Sequence, residues 1–166
     1  MCIRDSYYPH WEKTESESAK LGVFSTIPAV RSFPNNLASE VIGTFILMFG
    51  LSFIGANKFA DGLNPLVVGA LISAIGFSFG GTTGFAINPA RDLGPRIAHF
   101  LLPIKGKGSS DWSYSWIPVV GPVIGGMYGT LFFQAIFNGK IGPAFWIFSA
   151  LCAAVLIYSV FVKIKK

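Results

Sequence analysis

The stretch GFAINPARDLGPR, residues 84–96, sets three charged side chains, Arg91, Asp92 and Arg96, directly after an Asn-Pro break and at the start of an apolar run. Asn88 is a strong helix N-cap and Pro89 suits the first helical position. A helix therefore begins there, with unpaired N–H groups and a partial positive charge at that end. The apolar run 88–102 is too brief to cross a bilayer, which takes about 20 residues. Immediately upstream, GGTTGFAI, residues 80–87, is rich in Gly and Thr and reads as non-helical backbone. At membrane depth such backbone survives only against protein or a water-filled cavity. The pattern is that of a re-entrant segment over residues 81–102, its positive end aimed at mid-membrane.

Arg91 lies three residues after Asn88, so both share roughly one helical face and can present donors to one lumen. Asp92 and Arg96 are four apart on a different face, acid before base, the favourable order for an intrahelical clamp. An ionisable group at membrane depth costs several kcal/mol on insertion scales and marks a functional site by default.

The rest of the chain supports a membrane setting. Hydrophobic residues make up 52% and charged residues 13%, about half the charged share of a soluble domain. The apolar residues gather into runs at 37–57, 63–80, 116–137 and 142–162, each near spanning length. Asn35 or Asn36 is the expected N-cap of the first run, and Glu40 sits one turn inside it. Gly69, Ser73, Gly76 and Gly80 form a small-residue face on the second run. Gly121, Gly125 and Gly129 form a packing ridge on the third. The organisation expected is a non-membrane loop, 1–36; a repeat of spanning helices with the re-entrant segment, 37–138; and an additional apolar helix with a basic tail, 139–166. The opening MCIRDS reads as translated adapter sequence, and the chain as a fragment.

The formal net charge is +5, but the lysines are dispersed apart from Lys163, Lys165 and Lys166, so nothing points to a nucleic-acid surface. Cys2 and Cys152 have no metal-type spacing, and Cys152 is expected as a buried thiol. No nucleophile, base and orienting group assemble from His10, His99, Cys2 and Cys152, so no enzyme, metal or cofactor is expected. His99 reads as a packing or interface residue.

On these residues the chain resembles the second half of the major intrinsic protein family, the aquaporins and glycerol facilitators. GFAINPARDLGPR is similar almost letter for letter to that family's second NPA signature, and the likeness extends from about residue 24 to 138. The resemblance implies an all-α membrane fold in which two half-helices meet at the midplane of an inverted-repeat pore. It implies that Asn88, Pro89 and Ala90 are the second NPA motif, with Asn88 donating to the oxygen of a passing molecule. Arg91 would be the selectivity-filter arginine and Phe85 the filter aromatic, while Gly76 stands where water-selective members carry histidine. Asp92, Arg96 and Pro118 are similar to the glycerol-conducting branch, and Glu40 to a glutamate that accepts hydrogen bonds from the re-entrant backbone.

The resemblance further implies a multi-pass, homotetrameric channel of the cell membrane for glycerol, small polyols and water, closed to ions and protons. A water-selective channel of the same family and a non-conducting packing fragment are the alternatives. Three features depart from the family pattern. One NPA segment is present where the family has two; residues 142–162 form an extra apolar helix; and the family orientation sets most basic loop residues outside, against the positive-inside tendency.

Overall fold

The structure, a computed structural model, describes residues 8–164; the opening MCIRDS, Cys2, Lys165, Lys166 and the side chains of Lys163 and Ile164 lie outside the described residues. The described residues are all helix and loop. The elements are α1 (Glu17–Gly22), α2 (Phe33–Ala56), α3 (Leu63–Thr83), α4 (Pro89–Leu101), α5 (Ile117–Asn138) and α6 (Pro143–Ile164). Four of these, α2, α3, α5 and α6, are long and apolar enough to cross a membrane. The 13 residues of α4 extend only about 20 Å, against roughly 30 Å of hydrocarbon.

Three local expectations need correction. The segment before the first span is not all loop, because α1 forms there behind Ser16, whose side chain accepts from the Ala19 N–H at 3.2 Å. The span α2 starts earlier than Asn35 or Asn36, at Phe33 after Ser32, because Pro34 supplies a first-turn geometry that needs no N–H partner. Asn36 is buried inside the helix, donating its amide to the Val30 carbonyl at 3.1 Å.

The third correction concerns the break. Residues 80–83 continue α3 rather than leaving it, and the helix ends only where Gly84 adopts φ 79 and bonds back to the Gly80 carbonyl at 3.0 Å. The Thr82 hydroxyl donates to the Phe79 carbonyl within the same turn, at 2.9 Å. Gly and Thr weaken a helix without forbidding it, so composition overestimates the non-helical stretch. The true break is residues 84–87.

Helices α2 and α5 pack along two kinds of contact. In their N-terminal halves the glycine ridge brings backbones together. A Cβ at Gly125 would fall against the carbonyl of Val41, and one at Gly129 would lie 2.6 Å from the Phe45 oxygen. Toward the other end aromatic rings interlock, with Phe53 at 5.1 Å from Phe133 and 4.8 Å from Phe137. Phe45, Phe49 and Phe53 recur every four residues and therefore share one helix face. The extra helix α6 lies against this pair, its Cys152 buried beside a small apolar cavity with Val41, Phe45 and Tyr128.

Because the obstacle at Gly125 is backbone, Gly125→Ala is expected to lower stability by about 3 kcal/mol, the upper end of ordinary overpacking. Gly126→Ala should have a much smaller effect, since its Cβ would meet only Met48 and Thr44 side chains, at 3.4 and 3.5 Å. Thermal unfolding in detergent compares the two; matching midpoints would show that the ridge is not a close-approach seam.

Trp11, Phe24 and Ile104 form a cluster with Val23, Ala98 and Leu102 around it. The buried Lys20 donates to the carbonyls of Lys105 and Gly106 at 2.8 and 3.1 Å. These contacts hold the segment before α2 and the α4–α5 loop at one end of the bundle. The end of α3 lies there too, the Ala29 N–H donating to the Thr82 carbonyl at 3.1 Å, so the chain leaves α3 and reaches the α4–α5 loop at the same end.

Candidate functional site

The site begins where α3 stops. Phe85 and Ile87 have φ of 41 and 42, a left-handed backbone that costs a non-glycine residue about 1–3 kcal/mol and persists only when its surroundings over-determine it. Glu40 of α2 does this. One carboxyl oxygen accepts from the Ala86 N–H at 3.0 Å and the Thr83 hydroxyl at 2.6 Å, and the other from the Ile87 N–H at 2.8 Å. Glu40 is 1% exposed, so the non-helical segment's donors are met by an acceptor from a neighbouring helix. Gly43, one turn further along α2, lets that span approach: a Cβ there would come 3.1 Å from the Ile87 side chain.

Asn88 then caps α4, its side-chain oxygen accepting from the Ala90 N–H at 2.9 Å. Pro89 and Ala90 continue the first turn. Asn88 and Arg91 are both exposed, and their three-residue spacing sets them on roughly one side of the half-helix. Arg91 donates to the Gly84 carbonyl at 3.2 Å, and its guanidinium carbon lies 4.6 Å from the centre of the Phe85 ring. The Phe85 ring in turn abuts α3 at Gly76, where a Cβ would sit 3.1 Å from the ring tip. Gly76, Phe85 and Arg91 thus form one constellation, with hydrocarbon on one side and a cation on the other. Among the described residues no carboxylate pairs with Arg91.

Asp92 and Arg96 point the other way, into protein, and each is fully buried. Arg96 donates to both Asp92 oxygens at 2.8 and 2.9 Å, to the Thr26 carbonyl at 3.1 Å, and to the carbonyls of Ser110 and Asp111 at 2.8 and 3.1 Å. Those five bonds use all five donors of a guanidinium. Asp92 also accepts from the backbone and hydroxyl of Thr26, at 2.9 and 2.6 Å. The pair ties α4 to the loop before α2 and to the α4–α5 loop. Above it, burial pushes the Tyr114 phenol up, with Glu40 and Asp92 adding to the rise.

A cavity of about 490 Å³ opens beside this clamp, lined by residues 22–27 with Gly84, Arg91 and Pro95. His99 is a packing residue: fully buried, it pairs one ring nitrogen with the Ser110 hydroxyl at 2.8 Å and meets Phe24 edge-on at 5.4 Å. Lys107 reaches the carbonyls of His99, Phe100 and Leu102, at 2.6 to 2.7 Å, and so caps the last turn of α4.

Sequence reasoning passes over Thr26, Thr83, Ser110 and Lys107. Thr26 lies 66 residues from Asp92 and Thr83 lies 43 from Glu40. Hydroxyls paired over such separations leave no local periodic signal.

The sequence matches the family described as "Major intrinsic protein" over residues 11–133. It is 60% identical over 151 residues to the "Glycerol uptake facilitator protein" of Bacillus subtilis, covering 91% of this chain and 55% of that protein. It is 58% identical over 132 residues to the "Probable glycerol uptake facilitator protein" of Thermotoga maritima, covering 80% and 56%. The chain thus spans about half the length of the curated relatives it matches. The solved aquaglyceroporin of Plasmodium falciparum superposes with a TM-score of 0.58 at 28% identity, over 80% of this chain and 53% of that one. Four helices long and apolar enough to cross a membrane, a capped half-helix behind a strained non-helical entry, and these matches make the chain a multi-pass membrane protein belonging to the major intrinsic protein family.

Proposed function

We propose that the chain supplies one half of a passive channel for glycerol and similar small neutral solutes, together with water, in the cell membrane. The observation that carries this reading is the contact of Phe85 with Gly76 under the Arg91 guanidinium. A polyol has one edge of hydroxyls and one of carbon-bound hydrogens. Arg91 offers donors to the first and Phe85 an apolar wall to the second, replacing hydration that the solute leaves behind. With glycine at position 76, the constriction keeps the width that a ring there would take away. Both similar bacterial proteins carry glycerol uptake in their names, which supports the same solute class.

Further along, Asn88 would pass the solute's oxygen onward at the N-terminus of α4. The partial positive charge of that terminus and the Arg91 cation oppose entry of cations and protons, as in aquaporin-type pores generally. Residues 37–138 would form the repeat that lines the conduit, meeting a counterpart half, and the complete protein would assemble as a homotetramer. The exposed apolar side chains of α3 and α6, such as Phe77 and Phe161, suit lipid or that counterpart.

Proteoliposomes carrying the complete gene product should take up glycerol, and reswell in a glycerol gradient, markedly faster than empty vesicles. Equal rates with and without protein would overturn the reading, and water flux without glycerol flux would replace it with the water-selective one.

A further inference from the structure

Phe85 touches a second glycine. Gly80 lies four residues after Gly76, on the same face of α3, and a Cβ there would stand 3.3 Å from the ring's Cδ1 and 3.7 Å from its Cε1. At Gly76 the same construction meets Cζ at 3.1 Å and Cε2 at 3.2 Å. The two glycines therefore support different parts of one ring, the tip at Gly76 and one edge at Gly80. The ring cannot easily give way. Its backbone is held at positive φ, the following N–H groups are bound to Glu40, and Arg91 covers it at 4.6 Å.

We propose that Gly80 is a positioning residue for solute selection: with Gly76 it forms a flat seat that sets how far the Phe85 ring stands from α3, and so how wide an aperture it leaves beside Arg91. The inference rests on the reading of Phe85 and Arg91 as the solute constriction. A methyl at position 80 displaces the ring edge by a few tenths of an ångström, and with the guanidinium over its face that displacement alters the passage. Neighbouring Gly81 supplies the control. It belongs to the same helix, yet a Cβ there meets nothing within 4 Å.

The test uses the complete gene product in proteoliposomes, with water and glycerol permeabilities measured on the same vesicles. In Gly80→Ala the glycerol-to-water ratio is expected to fall roughly tenfold, the low end of what one methylene decides in a fitted pocket, and Gly81→Ala should keep the wild-type ratio. In a Phe85→Leu background, which lacks the ring edge that the methyl meets, adding Gly80→Ala should leave the ratio where Phe85→Leu alone sets it. An unchanged ratio in Gly80→Ala, or an equal fall in Gly81→Ala, overturns the proposal while leaving the channel reading intact, whereas wild-type vesicles without glycerol flux overturn that reading itself. Should Gly80→Ala reach the membrane poorly, the double variant must match the amount of Phe85→Leu alone; a further loss shows that Gly80 does not accommodate the ring and also overturns the proposal.

Discussion

Replacing Glu40 by leucine is expected to destabilise the protein by about 2–6 kcal/mol and, under the channel function proposed above, to abolish solute flux in the complete gene product. The substitution leaves the Ala86 and Ile87 N–H groups buried without an acceptor, at about 1–3 kcal/mol each. It also strands the Thr83 hydroxyl and releases the two residues held at positive φ. A segment no longer over-determined relaxes toward ordinary backbone, which carries Phe85 away from Gly76 and Arg91. Glu40→Gln should be intermediate, because one carboxyl oxygen survives while the new amide turns a donor toward another donor. Unfolding midpoints in detergent and glycerol uptake in vesicles measure the two effects. A leucine variant with wild-type midpoint and flux would show that the extended segment holds its shape without this acceptor.

Arg96→Met is expected to cost about 3–5 kcal/mol, the usual penalty for removing one partner of a buried ion pair. Asp92 would stay in the interior, answered only by Thr26, while the carbonyls of Thr26, Ser110 and Asp111 would lose their shared donor. The loop before α2 and the α4–α5 loop would be released together. The companion variant Asp92→Leu with Arg96→Met should be less damaging than Arg96→Met alone, because it leaves no uncompensated charge in the interior. If the double variant unfolds at a lower temperature than the single one, the loops depend on the individual hydrogen bonds more than on charge compensation.

Much of this arrangement is legible in residues 84–96. Asn88 and Pro89 announce a helix start, and α4 is capped there. The short apolar run after them announces a helix unable to cross, and four separate runs announce the four helices long and apolar enough to do so. The i,i+4 order of Asp92 and Arg96 announces their pairing, which the buried bidentate contact shows. The extent of the break is misjudged because Gly and Thr report a weak helix preference, whereas the end of α3 depends on where Gly84 can take a positive φ. The start of α2 is misplaced for a similar reason: two asparagines are attractive caps, but Pro34 already admits the first turn.

The membrane setting, the spans, the half-length helix and the residues it presents are all written along the chain, since they depend on run length, capping chemistry and helical spacing within one stretch. Packing in three dimensions had to choose which buried acceptor steadies the extended entry, which loop carbonyls surround Arg96, and how two glycines of α3 meet the ring of Phe85. Those outcomes depend on distances between groups that are, for the most part, dozens of residues apart. Local periodicity carries no record of such distances, and only the packed bundle brings a donor to the one acceptor within its reach.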